Sequence, residues 1–83
     1  MSNPIKTLRE RTGLDRRQFA IAAGVDYWTV TALELGYPAG MSPRTALHLA
    51  RVAEITADEL QELYRRWREL QQEAFLGEVR RNA

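Results

Sequence analysis

Eighty-three residues, 45% hydrophobic and 28% charged, make one small folded domain and leave no room for a second. With no cysteine and a single histidine, His48, the chain excludes disulfides, thiolate metal sites and histidine-rich metal sites. The formal charge of +1 is uneven: residues 1–55 carry seven basic against five acidic groups and residues 56–83 five against six, and eleven of the twelve basic residues are arginine, a balance that permits a nucleic-acid partner without requiring one.

Helix punctuation follows in chain order. Asn3 and Pro4 stand in cap-then-first-position order for a first helix, with Ile5 and Leu8 inward and Gly13 as its stop. Asp15 and Gln18 form a capping box for a second helix, whose buried stripe is Phe19, Ala20 and Ala23 and whose left-handed stop is Gly24. Asp26 caps a third helix, with Val25 and Val30 at the spacing of a hydrophobic staple, Val30 and Leu33 inward and Gly36 closing it. Residues 36–40 read as a loop. Ser42 and Pro43 open a fourth helix with Ala46, Leu49, Ala50 and Ala53 inward, and Thr56 with Glu59 is a second capping box, opening a fifth helix. No alternating β-branched run or hairpin dipeptide occurs, so the fold is expected to be all-α, with five helices.

The centre of the chain carries the functional signal. Two short helices joined by a glycine-containing turn make a helix-turn-helix unit. Ala20 allows the close crossing, Gly24 the turn, and Val30 and Leu33 anchor the third helix so that its other face stays outside.

From Ile5 to Leu60 the chain resembles the Cro/C1-type (Xre-like) helix-turn-helix repressors. The resemblance rests on Leu8-Arg9, Gly13-Leu14, Phe19-Ala20, Gly24-Val25, Val30, Leu33-Glu34, Gly36, Pro43, Leu49-Ala50, Ile55 and Leu60. It implies a five-helix core that binds double-stranded operator DNA as a transcriptional regulator, commonly as a dimer. It also implies a structural ion pair between Arg9 and Glu34. Arg16 stands where the family often has glutamine, and Tyr27 and Trp28 where it has small or polar residues.

In this reading residues 1–63 are the DNA-binding domain, and the recognition helix, about 27–35, enters the major groove. Tyr27, Trp28, Thr31 and Ala32 are the expected base contacts, the two aromatics by apolar contact with thymine methyl groups. Arg16, Arg17 and Arg44, at helix starts whose free N–H groups also attract phosphate, are the expected phosphate contacts. His48 is expected to be an ordinary surface or packing residue. The alternative is a protein-interaction module on the same fold, an antitoxin or a polymerase-binding regulator, with Tyr27 and Trp28 as its anchors.

The fifth helix, continuing through residues 57–81, would run about 37 Å, more than a small domain can cover. Leu60, Leu63, Trp67, Leu70 and Ala74 alternate in steps of three and four, as in a heptad seam. Leu60 and Leu63 can be satisfied by the domain core. Leu63, Trp67, Leu70, Ala74 and Phe75 are the expected homodimer interface; the alternative is a kink near Leu70 or Gly77 that folds the tail back.

No enzyme is expected, since no histidine or cysteine constellation and no phosphate-binding loop occurs. No cofactor, metal or small-molecule ligand is expected. No run approaches the ~20 apolar residues of a bilayer span, and Pro4, Lys6, Arg9, Glu10 and Arg11 stand where a signal peptide is apolar. The expected location is the cytoplasm, on the nucleoid when bound to DNA.

Overall fold

The computed structural model describes residues 2–82; the first residue of the expected 1–63 domain lies outside them. Five helices follow in order: α1 (Pro4–Thr12), α2 (Arg16–Ala23), α3 (Tyr27–Leu35), α4 (Pro43–Ala53) and α5 (Ala57–Asn82), with no strand among the described residues. The all-α architecture read from the sequence is the one observed.

Local chemistry sets most of the boundaries. The Asn3 side-chain oxygen accepts from Ile5 N at 2.9 Å and Lys6 N at 3.1 Å, and its amide donates to the carbonyls of Leu33 and Glu34 at 2.9 and 3.0 Å. One buried asparagine thus starts α1 and caps the end of α3. Asp15 and Gln18 close the expected box in both directions, as do Thr56 and Glu59. Ser42 Oγ accepts from Thr45 N. Asp26 departs from expectation: it has the extended N-cap backbone, but its carboxylate makes no capping bond.

Helices α1 to α4 and the first turns of α5 share one core in which Ile5, Phe19, Val30, Leu33, Leu49, Leu60 and Tyr64 are nearly inaccessible. α5 differs from the expectation at Trp67 and Leu63. Trp67, expected in a dimer seam, is 91% buried within its own domain. Its indole lies over Gly36, where an added Cβ would sit 2.6 Å from the ring. Leu63, expected to reach the core and the seam, is 40% exposed; Tyr64, one position on, takes the core place and donates its hydroxyl to Pro38 O at 2.7 Å. Arg68 donates through Nη1 to the carbonyls of Gly36 and Tyr37 at 3.0 and 3.1 Å, and to that of Pro38. The packed body therefore extends to Arg68, past the boundary at 63.

The reason for these shifts is angular. Leu60, Tyr64 and Trp67 fall on one face of a helix with 3.6 residues per turn, whereas Leu63 and Leu70 lie at its edge. The tail does not fold back near Leu70 or Gly77: α5 is continuous to Asn82. Residues 69–82 continue α5 for about 21 Å; Gln71, Gln72 and Phe75 still line a cleft with Leu35 and Gly36, the later turns project past the body, and the molecule measures 45 × 23 × 19 Å. On this overhang Leu70, Phe75, Leu76 and Val79 are exposed.

Candidate nucleic-acid interface

The α2–α3 pair is held from behind. Ala20 and Ala23 are buried where the two helices meet, Gly24 turns the chain at φ 71°, and Val25 N returns to Ala20 O at 3.0 Å. His48, on α4, brings Nδ1 to 2.8 Å from Ala23 O, so an α2 carbonyl left over at the helix end is satisfied from outside the unit. Val30 and Leu33 sink into the core, and Asn3 fixes the far end of α3. The opposite face is left open.

That open face begins with aromatics. Tyr27 is 42% exposed and Trp28 76%, their rings edge to face at 5.3 Å and 79°. Of the four expected base-contact residues these two stand free. Thr31 and Ala32 are half-buried, and the Thr31 hydroxyl is shielded from solvent without a hydrogen-bond partner, so it is not presented as expected. Ala32 forms the floor of a shallow apolar groove with Trp28, Leu33, Pro38 and Met41.

Arginines flank the first turn of α3 on both sides. Arg16, Arg17 and Tyr27 share a cleft with Arg9 and Asp15. Arg44, at the start of α4, shares another with Asp26, Thr29, Thr45 and His48. Arg17 and Arg44 are exposed. Arg16 is more constrained than a free phosphate contact: its Nε lies 3.4 Å from Glu34 Oε1, with about a third of the side chain accessible.

Glu34 is the anchor of this charge. Its side chain is fully inaccessible, and Arg9 grips both carboxylate oxygens, at 2.9 and 3.0 Å, while donating also to Leu14 O. The pair implied by the family resemblance is thus in contact, and it has a third member in Arg16. The bonds from Glu34 hold the Arg9 pKa above its ordinary value, against the opposing effect of burial.

Three positioning residues were not legible as such: the Asn3 amide, His48 and Arg68. Their partners lie 25 to 32 positions away in sequence, and helical spacing carries no information about such pairs.

No helix among the described residues is long and apolar enough to cross a membrane. Comparison with protein-family models, curated proteins and solved structures finds no match for this chain.

Proposed function

We propose that the protein is a sequence-specific double-stranded-DNA-binding transcriptional regulator of Cro/C1-like type, acting in the cytoplasm without catalytic activity. The observation that carries this reading is the first turn of α3: exposed aromatics on a rigidly backed helix, with Arg17 and Arg16 on one side and Arg44 on the other. A helix about 10–12 Å across with its side chains fits the major groove, where N-terminal residues of the recognition helix meet base edges. Arg17 and Arg44, both exposed, then hold the phosphates, with Arg16 in reserve behind its contact to Glu34.

The overhang of α5 suits a homodimer. An isolated helix of fourteen residues is marginal in water, and this one exposes Leu70, Phe75, Leu76 and Val79. Pairing two overhangs would cover those side chains and present two recognition helices to half-sites related by a two-fold axis.

One observation favours the second reading, a protein-interaction module. Trp28 stands beside the apolar groove over Ala32, Pro38 and Met41, and an exposed aromatic next to such a groove resembles a binding hot spot. Competition between a selected duplex and random duplex separates the two. Under the DNA reading, Trp28→Ala weakens selected duplex more than random duplex, whereas Arg44→Ala weakens both alike. Under the protein reading, Trp28→Ala leaves DNA binding unchanged.

A further inference from the structure

The residues at the start of α3 restrict which base it can read. Residues 26–35 contain no arginine, lysine, asparagine or glutamine, so the forked contacts that usually select guanine or adenine are absent from this face. Glu34 is consumed by Arg9 and Arg16. One charged group remains. Asp26 is exposed, makes no capping bond and enters no ion pair among the described residues. Its carboxylate is an acceptor only.

Asp26 is also placed beside an apolar surface. Thr29 and Thr45 line both the cleft that holds Asp26 and the groove that holds Trp28, so the two open side by side. Tyr27 braces the Trp28 ring edge-on. The start of α3 therefore offers an acceptor and a flat apolar wall in neighbouring openings, with Thr29 and Thr45 between them.

Only one base matches that pair in the major groove. Guanine presents two acceptors, which repel a carboxylate. Thymine has a methyl group for the indole, but its O4 is an acceptor facing Asp26. Adenine has a donor, flanked by the acceptor N7 and with no apolar neighbour. Cytosine presents the N4 amine as donor, and its adjoining C5 edge is apolar. We propose that Asp26 and Trp28 together select cytosine, and that a methyl group at C5 strengthens the contact. This inference rests on the DNA-binding reading and replaces the thymine contact expected from the aromatics alone.

The test begins with selection of bound sequences from a random duplex library by the full-length chain. It continues with competition binding on the selected duplex carrying cytosine, 5-methylcytosine, thymine or adenine at the enriched position. Cytosine is expected to bind about tenfold more tightly than thymine, and 5-methylcytosine about fourfold more tightly than cytosine, the gain from burying one methyl-sized group. Asp26→Asn keeps a good N-cap residue and is expected to move the preference from cytosine to adenine, which asparagine reads through N6 and N7. Trp28→Ala is expected to abolish the gain from the methyl group and to weaken the preference for cytosine over adenine, while the preference for cytosine over thymine, which Asp26 sets, remains. An enriched motif without cytosine, or a cytosine preference unchanged in Asp26→Asn, overturns the inference and leaves DNA binding standing. Failure to retain any duplex overturns both.

Discussion

Replacing Glu34 by glutamine removes the one carboxylate that two guanidiniums share. Arg9 is only 14% exposed at its side chain, so its charge would be left without a counterion in a partly closed site. Breaking such a pair from one side costs roughly 3–5 kcal/mol, and Glu34→Gln is expected to lower the thermal midpoint sharply; an unchanged midpoint would make the pair incidental. Arg16→Ala is expected to change stability by less than about 1 kcal/mol, because its contact is longer and a third of the side chain meets solvent. Tyr64 gives a pH dependence. Burial raises its pKa above the ordinary tyrosine value of about 10. The unfolded chain therefore loses that proton first, and stability is full below about pH 10 and declines as pH rises past it. Tyr64→Phe is expected to remove this alkaline decline while costing about 1 kcal/mol at neutral pH for the lost bond to Pro38. Urea titrations at pH 8 and at a pH above 10 measure both effects.

At the scale of the helices, the sharpest dependence is that of α5 on the α3–α4 loop. Gly36 has φ 79°, and a methyl group there would enter the Trp67 indole. Gly36→Ala is expected to destabilise by more than the ~1–2 kcal/mol of left-handed strain alone, and Trp67→Ala by about 3–5 kcal/mol; chemical denaturation checks both. The caps at Asn3, Asp15, Ser42 and Thr56 and the glycine stops at 13, 24 and 36 were legible because each is written within a few residues of where it acts. The assignment of Trp67 to a dimer seam was not recoverable from spacing. A step of three or four reports that a side chain faces one stripe, not whether the stripe meets its own domain or another copy. The end of the loop at Gly36 decides it, by leaving room for an indole. The same limit applies to the candidate site. Tyr27 and Trp28 were identifiable from the helix-turn-helix register, but the shielding of the Thr31 hydroxyl depends on packing, and the tie between Arg16 and Glu34 spans two helices. The Glu62–Arg65–Glu69 pairs along α5 are exposed and add little beyond support for the helix itself.

For the whole molecule, the body and the overhang make separable claims. Ending the chain after Arg68 retains Tyr64, Trp67 and the carbonyl contacts of Arg68, so the body is expected to fold, whereas ending it after Leu63 removes core residues and is expected to unfold it. The chain ended after Arg68 is expected to sediment as a monomer at concentrations where the full chain is a dimer; a full chain that is monomeric at high micromolar concentration would contradict pairing through α5. The net charge of +1 gives little long-range attraction to DNA, so affinity must come from the local arginines around α3. The most direct test is the salt dependence of binding to duplex DNA by the full chain and by Arg44→Ala. DNA binding of the proposed kind predicts that the logarithm of affinity falls linearly with the logarithm of salt, and that Arg44→Ala flattens the slope by about one per protomer while the fold is unchanged. No measurable binding at low salt, or a slope identical in both proteins, would contradict it.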